Sequence, residues 1–189
     1  MKDDKIPEGA PEGWIDDDWN TPASDLDRVR QVAPIGLDPC SNSTSLVHAV
    51  VEFRLDRGEN GLQLLWGGHG LVFVNMPYSR KLFVEFSEKI GYEASIDTPI
   101  SALPPANIET AEWQDVYWQA NAICFPRGRV RFWAGGQEQG TPRRANAFCY
   151  FGPYPQRVYA AFESRGVVLM PARRLDVRDT SRAARFFHE

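Results

Sequence analysis

The predicted fold is decided by eight residues, Leu71-Val72-Phe73-Val74-Asn75-Met76-Pro77-Tyr78. The first four are the residue types that fill a strand buried on both faces of a parallel sheet. The strand ends at a polar Asn and then a Pro, which cannot continue a ladder of hydrogen bonds. In open α/β sheets, ligands bind just beyond the carboxyl ends of the strands. The pattern therefore predicts a functional site at Asn75 and Tyr78.

These residue types suit the methylation of an exocyclic amine, whose lone pair is delocalised into its aromatic ring. Two acceptors around the NH2 group would turn that lone pair out of the ring plane, towards an electrophilic methyl group. The side-chain oxygen of Asn75 is one acceptor, and the main-chain carbonyl of Met76 can be the second. Tyr78 offers a ring face on which an extruded base can stack. The alternative is an ordinary strand end followed by a Pro turn.

A second ligand-binding segment is predicted upstream, where a brief strand over residues 35–37 delivers Asp38. Small polar residues follow, and Leu46-Val47 is expected to open a helix, which gives a strand–turn–helix that can cradle a ligand. Asp38 could bind a ligand ammonium directly or through water. The alternative is a helix-capping loop, and the absence of a Gly-rich fingerprint argues against a dinucleotide or P-loop site.

The rest of the chain alternates between strand and helix patterns, which predicts an α/β layered fold with a mixed sheet. Phe83 and Phe86 lie on the apolar face of a helix beginning at Ser79, so we expect them in the core rather than stacked on a base. Helices are also expected over residues 24–32 (capped by Ser24 or Asp25), 110–118 and 156–164, strands over 50–55, 96–103 and 147–151, and a hairpin joining 122–125 to 129–133.

Length and composition indicate one globular domain, because 189 residues with 43% hydrophobic content can bury a sizeable core. No apolar run approaches the length of a membrane span and no signal peptide is evident, so a soluble intracellular protein is expected. The three cysteines and three histidines lack the spacing of a disulfide framework or a zinc site. We therefore expect buried, reduced thiols and no metal.

Charge is unevenly distributed along the chain. Residues 1–18 hold seven acidic side chains and two lysines, a net charge of −5, and since the whole chain carries −4 the other 171 residues carry +1. Residues 1–13 are expected to form a disordered acidic tail. Between Arg127 and Arg144 there are five arginines and one acidic residue, Glu138. This basic stretch could meet nucleic-acid phosphates, and the alternative is a solvated loop.

Taken together, these segments resemble the small phage-type DNA adenine-N6 methyltransferases (Dam-like), which use S-adenosylmethionine. The resemblance covers residues 19–152. The pieces that carry it are Trp19-Asn20-Thr21-Pro22, Gly36-Leu37-Asp38-Pro39-Cys40-Ser41, Glu59-Asn60-Gly61-Leu62, Trp66, Val72-Phe73-Val74-Asn75-Met76-Pro77-Tyr78-Ser79, Ala102-Leu103-Pro104, Trp113, Phe125-Pro126-Arg127-Gly128-Arg129 and Phe132.

The resemblance implies a Rossmann-like methyltransferase fold: an α/β protein with a mixed, mostly parallel sheet, a C-terminal antiparallel hairpin and helices on both faces. It implies a single methyltransferase domain over residues 14–170, preceded by the tail over residues 1–13 and followed by a charged tail over residues 171–189. It also implies a phage- or prophage-encoded protein in the cytoplasm of a bacterial cell.

The same resemblance implies which residues act. The catalytic motif is Asn75, Met76, Pro77 and Tyr78; the cofactor residues are Thr21, Pro22, Asp38, Cys40 and Asn60; and the DNA-binding residues are Arg127, Arg129, Arg143 and Arg144. Glu59 could replace Asn60 at the cofactor adenine, and Glu52 is a weaker candidate for the ribose hydroxyls.

The implied activity is transfer of a methyl group from S-adenosylmethionine to the N6 amine of a flipped-out adenine in DNA, with neither a metal nor a membrane as partner. The motif does not exclude cytosine N4, which is a similar amine. The family usually has Pro where this chain has Met76, and Pro would fix φ at that position. The alternative function is therefore a DNA-binding relative that is catalytically weak or silent.

Overall fold

The computed structural model describes residues 19–134, 137–138 and 144–171 of the chain. The expectations for the tail over residues 1–13, for a domain start at residue 14 and for the tail beyond residue 171 lie outside the described residues. The elements in chain order are α1 (Ala23–Val32), β1 (Ile35–Ser41), β2 (Val51–Arg54), β3 (Leu71–Val74), α2 (Arg80–Ser95), β4 (Ile100–Ala102), α3 (Ala111–Asp115), β5 (Ala122–Pro126), β6 (Trp133–Ala134), β7 (Gln137–Glu138), β8 (Phe148–Phe151), α4 (Pro155–Phe162) and β9 (Gly166–Leu169).

Seven of these strands form one mixed sheet in the order β2-β1-β3-β4-β8-β5-β9. Strands β2, β1, β3 and β4 pair in parallel. Strand β8 lies antiparallel between β4 and β5, so β5 runs in the same direction as the first four, and β9 is antiparallel to β5 at the edge. The prediction of a mixed, mostly parallel sheet is confirmed. Because β1 and β3 are parallel neighbours, the residues that follow them emerge at one edge of the sheet.

Helices cover both faces of the sheet, as predicted. Strand β3 shows the division, because its buried side chains alternate between two core clusters. Phe73 points into one cluster with Leu26 of α1 and Phe162 of α4, whereas Val72 points into the other with Phe86 of α2. Phe83 and Phe86 are both buried there, which confirms that they are core residues.

The predicted hairpin between residues 122–125 and 129–133 is wrong. Strand β5 pairs with β8 and β9, and the segment after it pairs instead with the start of the described chain. The N–H groups and carbonyls of Asn20 and Trp133 bond each other, with N–O distances of 2.8 and 2.9 Å. Val130 and Phe132 are buried in the core on the α1 face, and this burial draws the segment away from β5. Strand β9, which the sequence analysis missed, takes the place of the hairpin partner.

The helix expected to open at Leu46 is also absent, since residues 42–50 form turns and irregular structure. His48 has a φ of 47°, in the left-handed region, which interrupts a right-handed helix. The Leu46 and Val47 carbonyls accept instead from Nη2 of Arg30 in α1, at 3.1 and 2.9 Å. Strand β1 is correspondingly longer than predicted and continues through Asp38 to Ser41.

The ends of several other elements differ from expectation; the helix predicted over 110–118, for example, covers only Ala111–Asp115. Helix α1 is capped by Pro22 and not by Ser24 or Asp25. Asp25 is instead buried within α1 and accepts hydrogen bonds from the Arg165 guanidinium at 2.7 and 3.3 Å. Strand β4 is shorter than the predicted 96–103, because residues 96–98 form the turn that ends α2: their N–H groups donate to the Glu93 and Ala94 carbonyls, and Asp97 has a φ of 63°.

Candidate active site

The side chain of Asn75 has a defined orientation at the carboxyl end of β3. Its Nδ2 donates to the main-chain carbonyl of Trp19 at 2.5 Å. A carboxamide has its donor and its acceptor on opposite atoms, so this bond directs Oδ1 away from Trp19. Oδ1 lies 3.4 Å from the Tyr78 hydroxyl. The sequence predicted Asn75 as an acceptor, and the structure gives that acceptor a fixed direction.

The Tyr78 side chain is held at both its hydroxyl and its ring. The hydroxyl donates to the carbonyl of Leu103 at 2.9 Å and accepts from Asn146 Nδ2 at 2.6 Å. The ring contacts Phe132 edge-on, with centroids 6.1 Å apart, and Phe132 contacts Trp19 in the same way at 6.4 Å. Tyr78 is half-buried. A ring held in this way is a fixed surface against which a base can stack.

Met76 stands where the resemblance implies Pro, and its side chain anchors the loop. The side chain is only 2% exposed and packs in the core with Leu37, Trp66 and Val74. Within the described part of the chain, the Met76 N–H donates to no acceptor. Burial therefore restrains residue 76 here, whereas Pro would restrain it through φ.

Asp38 is a buried carboxyl with an unusual protonation equilibrium. It is 3% exposed. Its Oδ1 accepts the Cys40 N–H at 3.0 Å and its Oδ2 accepts the Ser45 hydroxyl at 3.1 Å. Burial raises the pKa of Asp38 from its ordinary value of 3.8 to about 7, and these two hydrogen bonds only partly oppose that effect. Neighbouring Glu52, opposite Asp38 in the pairing of β1 with β2, raises it slightly further. A cationic ligand group would relieve this unfavourable burial.

The turn containing Asn60 lies directly against β1. A Cβ on Gly61 would stand 2.0 Å from the Pro39 carbonyl oxygen, so only glycine allows this approach. The structure therefore brings Asn60 close to the strand that carries Asp38 and Cys40. Asn60 Oδ1 accepts the Leu62 N–H at 3.0 Å.

The remaining predicted cofactor residues have distinct environments. Thr21 is 1% exposed, and its buried hydroxyl has no hydrogen-bond partner among the described residues. Pro22 caps α1, and Cys40 is a half-buried free thiol whose pKa burial raises well above its ordinary value. The alternative adenine ligand, Glu59, accepts the Arg54 N–H at 3.1 Å within its own turn.

The segment beginning at Trp19 connects the two predicted sites. Asn20 Nδ2 donates to the Thr44 hydroxyl at 3.0 Å, and Asn42 Nδ2 approaches Asn20 Oδ1 at 3.4 Å. The adjacent Trp19 carbonyl binds Asn75. One short segment therefore contacts both the loop after β1 and the loop after β3.

The basic stretch after β5 alternates between the core and the surface. Arg129, Arg131 and Trp133 are exposed, whereas Val130 and Phe132 between them are buried. The three exposed side chains line an open depression of about 620 Å³, together with Pro22, Ala23, Ser24, Asp25, Arg28, Leu46 and Arg165. Another depression, of about 670 Å³, lies at the far end of α2; neither of the two is lined by Asp38 or Asn75.

The other predicted DNA-binding arginines are separate from this depression. Arg127 is exposed at the end of β5. Arg144 is exposed beside the predicted catalytic motif, with Nη1 3.5 Å from the Tyr78 carbonyl oxygen. Arg143 lies outside the described residues.

A family model of DNA N-6-adenine-methyltransferase (Dam) matches residues 12–151 of the chain. The chain belongs to this family. The Dam match spans both loops, the basic stretch and the sheet as far as the end of β8. No curated protein sequence and no solved structure matches the chain.

Within this Dam-family chain, the sequence analysis missed Asn146 and the role of Trp19. A main-chain carbonyl leaves no signal in sequence, so the bond from Asn75 to Trp19 was not predictable. Asn146 lies between two alanines with no motif around it. Within the described residues, no three potential metal-ligating side chains lie together, and no helix has the length and apolarity needed to span a membrane.

Proposed function

We propose that this Dam-family chain transfers a methyl group from S-adenosylmethionine to the N6 amine of an adenine extruded from DNA. The observation that carries the proposal is the oriented Asn75 acceptor, which lies beside the Tyr78 ring and at the same sheet edge as Asp38. A binding site at the carboxyl ends of adjacent parallel strands suits a ligand shared between two loops.

The sheet supports a Rossmann-like methyltransferase fold. Five strands run in one direction between helices on both faces, and the antiparallel strand β8 is inserted between β4 and β5. The resemblance likewise implies a mostly parallel sheet between helices, whereas β8 and the edge strand β9 take the place of the implied C-terminal hairpin.

The buried polar groups near β1 fit a cationic, hydrogen-bonding cofactor. We propose that Asp38 holds its ammonium group, because a positive charge would stabilise the carboxylate that burial disfavours. The Thr21 hydroxyl, which has no hydrogen-bond partner among the described residues, is a further candidate contact. Pro22, Cys40 and Asn60 complete the proposed set. When bound, the cofactor supplies an electrophilic methyl group.

The loop after β3 is proposed to orient the target amine. Asn75 Oδ1 and the Met76 carbonyl would accept its two hydrogens, Pro77 would shape the turn between them and Tyr78, and Tyr78 would stack on the base. An amide is not a base near neutral pH, so the role of Asn75 is orientation and not proton abstraction. Orientation of this kind can supply a large part of a rate enhancement.

The exposed arginines are proposed to bind the DNA backbone. Arg127, Arg129, Arg131 and Arg144 are exposed, Arg144 beside the Tyr78 loop and Arg129 and Arg131 along one depression, and Arg143 remains a prediction from sequence. Trp133 stands beside Arg129 and Arg131. Arginines interleaved with an exposed aromatic ring are typical of surfaces that bind nucleic acid.

The test is mass spectrometry of nucleosides from DNA incubated with purified protein and isotope-labelled S-adenosylmethionine. We expect labelled N6-methyladenine from the wild type and none from Asn75→Ala. Labelled N4-methylcytosine would show the alternative base. Cofactor and DNA binding without any labelled nucleoside would support the silent relative and overturn the proposal.

A further inference from the structure

We propose that Asn146 is a positioning residue for the transfer reaction: it directs the Tyr78 hydroxyl onto the Leu103 carbonyl and so leaves Asn75 Oδ1 available to the target amine. The inference rests on the proposed function and extends it to a residue outside the catalytic motif.

The backbone around Asn146 is fixed just before β8. The Ala106 N–H donates to the Ala145 carbonyl at 2.8 Å, and the Ala147 N–H donates to the Pro104 carbonyl at 3.2 Å. These bonds hold residue 146 against the segment that follows β4. The side chain is 5% exposed and reaches the Tyr78 hydroxyl from there. Its position is therefore determined by main-chain pairing and does not depend on Tyr78.

The donors and acceptors around the Tyr78 hydroxyl determine which acceptor its hydrogen binds. Asn146 Nδ2 can only donate, and it reaches the Tyr78 hydroxyl at 2.6 Å and the Pro104 carbonyl at 3.4 Å. The Tyr78 oxygen accepts this bond and has one hydrogen of its own to donate. The Leu103 carbonyl is 2.9 Å away and Asn75 Oδ1 is 3.4 Å away, so the hydrogen goes to Leu103.

This assignment keeps the Tyr78 hydroxyl from occupying Asn75 Oδ1, the acceptor proposed for the target amine. With the Tyr78 hydrogen bound to Leu103, Asn75 Oδ1 retains its lone pairs, and the bond from Asn75 Nδ2 to Trp19 keeps Oδ1 turned towards the site. An acceptor at position 146 would attract the Tyr78 hydrogen instead. The ring would then shift from the Leu103 carbonyl, and small displacements reduce rates strongly in reactions that depend on alignment.

A second observation sets Asn146 apart from an ordinary core residue. Its Oδ1 is buried and has no hydrogen-bond partner among the described residues. A buried acceptor without a partner lowers stability. The side chain is therefore not optimal for stability alone, as is common at functional positions.

The experiment compares Asn146→Asp and Asn146→Ala in the wild-type and Tyr78→Phe backgrounds. Asn146→Asp replaces the donor by an acceptor of the same shape, and Asn146→Ala removes the donor without adding charge. Asn107→Asp, an exposed residue in the loop after β4, is the matched control. Methyl transfer, calorimetric cofactor binding and the fluorine spectrum of 3-fluorotyrosine protein are measured. The Tyr78 resonance is assigned by its loss in Tyr78→Phe.

We expect Asn146→Asp to lower kcat by about tenfold to a hundredfold. Asn146→Ala removes the donor but offers the Tyr78 hydrogen no new acceptor, so it should lower kcat by less. Both variants should have unchanged cofactor affinity and a shifted Tyr78 resonance. In the Tyr78→Phe background the same changes should lower kcat by less than about threefold, because the hydroxyl on which they act is gone. Equal losses in both backgrounds would show a merely structural role and overturn the inference.

The two proposals fail in different ways. If the wild type methylates no DNA, the proposed function fails, and an unshifted Tyr78 resonance in both Asn146 variants then overturns the hydrogen-bond assignment separately. If the wild type is active and both variants retain its kcat, only the role of Asn146 is overturned.

Discussion

Replacing Asp38 with Asn tests the chemistry at the carboxyl end of β1. Asn is nearly isosteric with Asp: its Oδ1 can still accept the Cys40 N–H, and its Nδ2 can donate to the Ser45 hydroxyl oxygen that now donates to Asp38. The substitution therefore removes an ionisable group and preserves its contacts. Any change in the pH dependence of stability then reports the ionisation of Asp38.

The magnitude follows from the difference in pKa between the folded and unfolded chains. Burial raises the pKa of Asp38 from 3.8 to about 7, so at pH values between these two the folded chain binds more protons. The stability that this group contributes is thus fully present below its unfolded pKa and is lost as the pH rises through the folded one. The shift corresponds to about 4 kcal/mol, of which roughly 3 kcal/mol falls between pH 5 and pH 8.

The assay is urea unfolding of the wild type and Asp38→Asn across that pH range. The free energy of unfolding of Asp38→Asn should rise relative to the wild type by about 3 kcal/mol between pH 5 and pH 8. Asp27→Asn removes an exposed carboxyl from α1 and serves as the control for lost charge. A difference between Asp38→Asn and the wild type that stays constant with pH would refute the reasoning.

The same ionisation should appear in cofactor binding. If Asp38 holds an ammonium group, binding favours the carboxylate and releases a proton from the fraction of molecules that are protonated. The affinity for S-adenosylmethionine should then weaken by up to about tenfold for each pH unit below 7. Asp38→Asn should bind more weakly and without this dependence. Calorimetry in buffers of different ionisation enthalpy measures the released proton directly, and no proton release near pH 6 would contradict the assignment.

Three further substitutions test other parts of the site. Asn75→Ala should lower kcat by about a hundredfold or more and leave cofactor affinity unchanged, because it removes an acceptor for the amine. Initial rates measure kcat and calorimetry measures the affinity. A near-normal kcat would rule out Asn75 as the acceptor of the target amine. Arg131→Gln should reduce the slope of log DNA affinity against log salt by about one, and Arg57→Gln, on the exposed turn after β2, should not; equal slopes would place the DNA elsewhere. Met76→Pro should maintain or raise kcat but lower Tm by about 1–10 °C. The lost burial of about 1.5–3 kcal/mol exceeds the 0.4–1 kcal/mol that Pro contributes through the unfolded chain. A higher Tm would show that the Met76 side chain does not anchor the loop.

Patterns of hydrophobic residues predicted most of the sheet and the position of the site. Strand β3 is apolar on both faces because both faces are buried. Its end was predicted correctly because the polar Asn75 and then Pro77 follow it in the sequence. Phe83 and Phe86 were placed in the core by helical periodicity alone. In each case neighbouring residues in the sequence carry the information, so a local pattern is sufficient.

Contacts between distant segments were not predictable in this way. In the segment after β1, which lacks the predicted helix, His48 has a positive φ, and the Leu46 and Val47 carbonyls accept hydrogen bonds from Arg30 of another element. The edge strand β9 is short, and two of its four residues, Val167 and Leu169, are exposed, so its pattern is weak. A long-range hydrogen bond is a property of the folded chain, and nothing in the local sequence around Leu46 indicates it.

The energetics of the site bear on whether the chain is active or silent. Asp38 is a carboxyl buried at a cost in stability above its folded pKa, and Asn146 keeps a buried acceptor without a partner in the described structure. A fold that only bound DNA through surface arginines would need neither feature. Both lie at the edge of the sheet that carries Asn75, where a cationic cofactor and an oriented Tyr78 would make use of them. Unfavourable local features that converge on one site are typical of function. They favour the proposed transferase over a silent DNA-binding relative, with burial of Met76 restraining the loop after β3.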